Sequence, residues 1–344
     1  MRTLFHPLAP PCPRGGRKAE DRGLSKTGDY RWLIVCAVLA TALASCTFVS
    51  QKAEDGRLRM GLLPVLDTLP FYVADQKGYF KTEGISVELV PVKGAQERDA
   101  LMQAGEIDGM LADMVAVGLF NRERPQVKIV ATSLRATPRV AMFRVLAAAG
   151  TKITSARDLV GVPVAISQNT IIEYITARLL AAEGLSPDQI QTLEVSAIPV
   201  RFEQLMAGQV QAATLPDPLA SGALAGGATL VVDDTMHSQY SQTVLAFSQS
   251  SLDGKPGTIR KFLVAWNRAV KDLNGQPGEF ASLLIDKGRV PESVRGSFPM
   301  PTFPEADMPT QAEWRDVVEW MLQKKLLDRE LAYDSSVMSL VVEN

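Results

Sequence analysis

One order of elements occurs twice along this chain: strand, helix, strand, glycine-terminated helix, strand. In the first copy, Asp55 to Asp113, Leu58 to Leu63 reads as a short apolar strand and Leu69 to Gly78 as a helix. Thr68 is placed as the N-cap of that helix and Gly78 as its stop. Ile85 to Val90 alternates as a strand does. Gln96 to Ala104 forms a polar helix with Leu101 and Met102 inward, closed by Gly105, and Ile107 to Leu111 is the next strand. The second copy begins at Thr154. Ser155 to Leu159 is a helical turn, Val162 to Ile166 a strand, and Thr170 to Ala182 an amphipathic helix stopped by Gly184. Gln191 to Val195 is a strand, Arg201 to Ala207 a helix ending at Gly208, and Ala212 to Leu215 a strand. Strands alternating with helices through short loops imply an α/β fold with mainly parallel sheets covered on both faces. Two copies read as two related lobes, although any doubly wound fold has this order.

After Phe247 the pattern becomes helical, at Gly257 to Leu273, Gly278 to Lys287 and Thr310 to Lys324. Ile259, Phe262, Leu263, Trp266 and Val270 recur at helical spacing, the mark of core packing. A tail of this kind returns to cover the first lobe. The expected division is lobe I at 57–140 plus 242–344 and lobe II at 141–241. The chain crosses between them near Thr132 to Val145 and Val232 to Leu245.

The first 46 residues have another character. A basic, polar stretch ends at Arg31, an apolar run of about 13 residues follows from Trp32 to Ala44, and Ser45-Cys46 closes it. This is the layout of a secretory signal. The run is well short of the roughly 20 residues needed to span ~30 Å of hydrocarbon. Leu43-Ala44-Ser45-Cys46 resembles a bacterial lipobox, with Cys46 as the lipidated first residue after cleavage. A chance cysteine after an ordinary signal peptide is the alternative. The long n-region, with Pro10-Pro11 and Gly15-Gly16, fits a start assigned too far upstream.

Cleavage there leaves little for catalysis. The cysteines are Cys12, Cys36 and Cys46 and the histidines His6 and His237. Disulfides, thiolate nucleophiles, Cys-based metal clusters and His-dependent triads each lose a required member. His237 lies in a polar connector. A net charge of -2 with scattered Lys and Arg argues against nucleic acid as a partner.

Several segments resemble one family, the sulfonate, taurine, nitrate and thiamine-precursor (SsuA/THI5-like) solute-binding proteins of ABC importers. Thr68 to Glu88, with Lys77-Gly-Tyr-Phe80 followed by Glu83-Gly-Ile-Ser-Val-Glu88, is similar to the family signature. Ala104-Gly-Glu-Ile-Asp108, Leu159-Val-Gly-Val-Pro-Val-Ala165 and Leu205 to Ala212 resemble three further family segments in the family's order. Gln211 stands where the family often has Asp. The resemblance implies a two-lobed periplasmic-binding-protein-like (type II) fold and a monomer. Its implied role is capture of a small organic solute by lobe closure outside the cytoplasm, with a membrane permease and its ATPase as partners. A ligand-sensing lipoprotein is the alternative. One branch of the family is an enzyme, a pyrimidine synthase that consumes its own histidine and uses iron with a cysteine-rich motif. Neither a suitably placed His nor such a Cys cluster is present, so the expectation is no enzyme, no cofactor and no metal.

In such proteins ligand sits between the lobes, where strands end and helices begin. Three junctions qualify: Val65 to Tyr72, Ala112 to Met114, and Ser167 to Ile171. Ser167, Gln168, Asn169 and Thr170 combine small polar side chains with a helix start, suited to an anion or simply to capping. Asp67, Asp113 and Asp217 end predicted strands and suit a cation or N–H donor, or cap helices. Thr68 joins them, Phe71 and Tyr72 offer a stacking face of which one must be core, and Arg135 and Arg139 lie near the crossings. Gly222 to Gly227 lacks the Gly-Lys-Ser/Thr ending of a phosphate loop and reads as a helix end.

Overall fold

The computed structural model describes residues 55–340. Cys46 and the lipobox lie outside them. Among the described residues ten strands form two five-stranded sheets, ordered β2-β1-β3-β10-β4 and β7-β6-β8-β5-β9. In the first sheet β1 is Arg57–Leu62, β2 Ser86–Pro91, β3 Gly109–Ala112, β4 Val127–Arg135 and β10 Gln242–Ser248. In the second, β5 is Phe143–Ala147, β6 Val164–Ile166, β7 Thr192–Glu194, β8 Ala212–Pro216 and β9 Thr229–Asp233.

The sheets share a plan that repeats the sequence order. In each, three strands of one unit pair in parallel, β2-β1-β3 and β7-β6-β8. The next strand is reversed: β10 pairs antiparallel with β3 and β4, and β5 with β8 and β9. Each reversed strand follows a crossing from the other sheet, after β4 and after β9. The sheets are therefore mainly parallel with one opposed strand apiece, and the chain passes between them through 136–142 and 234–241.

The helices that place the functional residues are α1 (Leu69–Gln76), α2 (Ala95–Gln103), α3 (Met114–Asn121), α4 (Ile171–Ala182), α5 (Ile198–Met206), α6 (Leu219–Ala225), α7 (Pro256–Gly275) and α8 (Gln311–Gln323). Thr68 is not a side-chain cap of α1. A 3-10 turn over Leu66–Thr68 gives it helical dihedrals, and its hydroxyl donates back to Val65 O at 2.7 Å. Helix α5 starts at Ile198, ahead of the expected Arg201, because Pro199 suits a first turn that has no intrahelical partner for its N–H groups.

The tail covers the first sheet through α7. Phe262 and Trp266 meet Phe71 at ring separations of 5.7 and 4.6 Å, and Phe262 also meets Phe80 and Phe247 at 5.6 and 5.5 Å. Phe71 is thus the core member of its pair. Helix α8 then packs on α3 and reaches α4 of the second unit. Tyr174 Oη donates to Asp316 at 2.5 Å, Arg178 Nε donates to the same carboxylate at 2.8 Å, and Lys324 lies 2.7 Å from Glu173. Elsewhere α6 presses on the tail at Gly222, where a Cβ would stand 2.5 Å from Pro291 Cγ.

The crossings are tied together by Asp234, which is fully buried. Its carboxylate accepts the N–H groups of Met142 at 3.0 Å and Phe143 at 2.9 Å. Burial pushes this carboxyl up to about 6, against the opposing effect of those hydrogen bonds and of Ser241.

Candidate functional site

A cavity of about 250 Å³ lies where the two sheets present their strand ends. Asp67 and Val65 come from the β1–α1 loop, Ala112 and Asp113 from the end of β3, Ser167 and Thr170 from the β6–α4 loop, and Pro216 and Asp217 from the end of β8. The first crossing supplies Thr137 to Phe143, and the tail supplies Phe298 to Thr302. Much of the wall is apolar, including Leu63, Leu134, Met142, Ile171, Ile198 and Phe298. The volume suits a small metabolite, and an apolar wall with a few fixed polar groups is the usual make-up of such a site.

The three aspartates expected at strand ends all line this cavity, in different electrostatic settings. Asp113 Oδ1 caps α3 by accepting Ala116 N–H at 2.9 Å, and its Oδ2 is 3.8 Å from Arg98. Burial pushes its carboxyl up while the Arg98 guanidinium opposes the shift. Asp217 Oδ1 meets Arg144 at 2.5 Å and accepts the Ser221 amide and hydroxyl at 2.9 and 2.7 Å. Asp67 has no basic partner among the described residues. It is 5% exposed, and its Oδ2 accepts the Thr243 hydroxyl at 2.5 Å. Burial pushes its carboxyl up to about 6, opposed by that hydrogen bond.

The polar helix start at Ser167 to Thr170 is only half in the cavity. Ser167 Oγ donates to Ser196 O at 2.8 Å and accepts from Arg201 at 2.9 Å, while Thr170 Oγ1 caps α4 at Ile172 N–H. Gln168 and Asn169 are exposed and do not line the cavity. Their amides donate to Glu194 at 2.6 Å and Glu173 at 2.7 Å. Two carboxylates thus already occupy the N–H groups of the expected anion cradle. Three other candidate residues are placed outside the cavity by packing. Phe71 is consumed by the core, Thr68 is turned inward, and Tyr72 lies outside the cavity beneath Lys287, whose Nζ is 5.5 Å from the ring centroid. Arg135 lines the cavity but is bound to Asp307 at 2.8 Å and Glu313 at 3.2 Å. Arg139 is exposed at the mouth and makes no ion pair among the described residues.

Two buried arginines escape a reading based on periodicity. Arg98 and Arg201 are fully buried, although each lies on a helix that looks solvated in sequence. Arg98 donates to Leu111 O at 3.3 Å, and Arg201 donates to Thr214 O at 2.9 Å and Val195 O at 2.7 Å. Both reach a carbonyl 13 residues onward, near the end of the strand after the helix. Both also stand seven residues before a glycine, Gly105 and Gly208. That shared spacing is the signal by which the sequence reveals them.

The profile of the NMT1/THI5-like family matches residues 66–280, well over half of the chain. The chain belongs to this family. No curated protein sequence matches the chain. Among solved structures it is similar to the alkanesulfonate-binding protein SsuA from Xanthomonas axonopodis pv. citri bound to MOPS. The TM-score is 0.68 at 18% identity, over 84% of this chain and 100% of that one. It is also similar to the Candida albicans CA3427 product, described as having the generic periplasmic binding protein fold, with TM-score 0.67 and 16% identity over 84% and 98% of the two chains. The periplasmic nitrate-binding protein NrtA from Synechocystis PCC 6803 matches with TM-score 0.64 and 14% identity, over 81% and 84%. The family member described here thus has the two-lobed periplasmic-binding-protein fold of type II.

Proposed function

We propose that this NMT1/THI5-like chain is the extracytoplasmic solute-binding lipoprotein of an ABC importer, holding a small organic solute between its lobes and presenting the closed form to a permease. The observation that carries the proposal is the cavity itself. It is built by facing strand ends of two sheets, and both crossings between the sheets run beside it or are tied to its wall. Lobe I is taken as 57–140 plus 242–344 and lobe II as 141–241, with the crossings absorbing the dihedral change of closure. The sulfonate- and nitrate-binding proteins that share the fold support transport of a small solute. Catalysis is not part of the proposal: the solute-binding proteins that share the fold support binding, and His237 is not among the residues that line the cavity.

The anchor is proposed at Cys46, with the protein otherwise monomeric. Among the described residues no helix is long and apolar enough to cross a membrane. In a bacterial host fed labelled palmitate, the wild-type chain is expected to incorporate label and a Cys46→Ala chain to lose it. Equal labelling of the two would remove the anchor. Binding is tested by thermal shift of the chain beginning after Cys46 against small solutes, since a ligand that binds only the folded state raises the melting temperature.

A pH profile follows from the two buried carboxyls without basic partners. Asp67 and Asp234 titrate at about 6 in the folded protein, against an ordinary value near 4. Between these values the folded state holds protons that the unfolded state releases. Stability from these groups is fullest at low pH and is lost as pH rises through about 6. The melting temperature of the solute-free protein is expected to rise between pH 7 and pH 5. Asp234→Asn is expected to flatten that rise. A melting temperature that falls over this interval would contradict the assignment.

A further inference from the structure

We propose that Asp67 is the anchor for a protonated amine or other cationic N–H donor on the solute, so that the cleft selects solutes positively charged at the end they bury. This rests on the solute-binding reading above and narrows it to a chemical class.

The basic side chains lining the cavity are Arg98, Arg135, Arg139 and Arg144, and the acidic ones are Asp67, Asp113 and Asp217. Three of the four arginines are already matched. Arg98 lies 2.8 Å from Asp99 and 3.8 Å from Asp113, so its charge is matched, while its buried Nη2 has no hydrogen-bond partner. Arg144 lies 2.5 Å from Asp217. Arg135 is held by Asp307 and Glu313. Arg139 is exposed on the first crossing, where water screens it. What remains inside is Asp67, one carboxyl at 5% exposure with no cation beside it.

A buried carboxylate without a partner is unfavourable, and it stays ionised only if something offsets its desolvation. The Thr243 hydroxyl supplies one hydrogen bond. A carboxylate can accept about four. Helix α7, α1 and the strand ends bring no lysine or arginine to it. The compensating charge therefore has to arrive with the ligand. An anionic solute placed against Asp67 would meet repulsion at short range in a site from which water is largely excluded. The apolar side chains around it, among them Leu63, Val65 and Leu134, suit a solute whose cationic group is attached to a hydrocarbon or ring.

The test compares solutes of one skeleton and opposite charge: benzylamine with phenylmethanesulfonate, and cadaverine with glutarate. Affinities are measured by thermal shift and calorimetry at pH 7.5 on the wild type, on Asp67→Asn and on Gly94→Trp. Gly94 lies on the cavity wall with an extended backbone, and its Cβ would point at Ser196 O across the cleft, 3.9 Å away. The expected result is that the amines bind the wild type at least tenfold tighter than their anionic counterparts. Asp67→Asn should lose that preference and Gly94→Trp should lose binding. If Asp67→Asn does not fold, the wild type alone decides. Amine affinity should weaken by up to tenfold per pH unit below about 6, as Asp67 takes up its proton. The charged groups that line the cavity with it from the other elements are Arg98, Asp113, Arg135, Arg139, Arg144 and Asp217.

Anions binding as tightly as amines, with Asp67→Asn unchanged and Gly94→Trp inactive, would overturn the inference and leave the cleft reading standing. Binding that survives Gly94→Trp, or no binding of any of the four probes, would overturn the inference together with the cleft reading.

Discussion

Arg201→Ala is expected to cost the fold about 3 kcal/mol or more, a large share of the roughly 5–15 kcal/mol that holds a domain together. Arg201 lies on α5 with its guanidinium fully buried, donating to Thr214 O, Val195 O and Ser167 Oγ. These acceptors belong to the ends of β8, β7 and β6, so one side chain ties three strand ends of the second sheet to one helix. Alanine would take a donor from two carbonyls, each worth about 1–3 kcal/mol when left without one, would leave Ser167 Oγ only its bond to Ser196 O, and would open a void beside them. Burial holds the guanidinium down at about 10, opposed by the Glu194 carboxylate, so it is charged at neutral pH, and its hydrogen bonds carry that charge. Urea denaturation measures the loss as a lower midpoint. A shift worth under about 1 kcal/mol would mean that the three strand ends are held by something else.

The second large effect is on binding. Gly94→Trp is expected to lower solute affinity roughly 100-fold or more, about 2.8 kcal/mol, with little change in stability. The backbone at Gly94 is extended, so any residue is tolerated there, and the position is neither core nor positive in φ. Its Cβ would face Ser196 O on the opposite lobe, so an indole placed there fills the cavity and props the lobes apart. Calorimetric titration with a solute that binds the wild type gives the comparison. Unchanged affinity would place the solute outside this cavity.

Much of the fold was legible in the sequence because both copies of the strand-helix unit obey local rules. Gly78, Gly105, Gly184 and Gly208 adopt positive φ at the ends of helices, as their spacing implied. The α7 stripe of Ile259, Phe262, Trp266 and Val270 is buried throughout. The two reversed strands were not legible. Strand direction is set by which sheet the chain enters after a crossing, and no local pattern records that.

The cavity wall was legible in part. Asp67, Asp113, Asp217, Ser167 and Thr170 line it, because a polar residue after an apolar strand has few other places to be. Gln168 and Asn169 stand outside it, with their backbone amides bonded to Glu194 and Glu173, 26 and 4 residues away. The first of these contacts depends on the pairing of β6 with β7, a tertiary fact. Phe71 and Tyr72 also stand outside it, because the tail helix claims one and the other lies beneath Lys287. Arg98 and Arg144 carry no sequence signal of the kind that marks strand ends. Asp113 and Asp217 were legible as strand-end acids or helix caps, but their ion pairs with Arg98 and Arg144 were not, because a pair 15 or more residues apart is invisible to periodicity.

Lobe closure is the claim on which the functional account turns, and small-angle scattering measures it directly. The chain beginning after Cys46 should show a smaller radius of gyration with saturating solute than without it, and Gly94→Trp should show no such change. A solute that binds in the cleft with full occupancy and leaves the radius of gyration of the wild type unaltered would contradict the account.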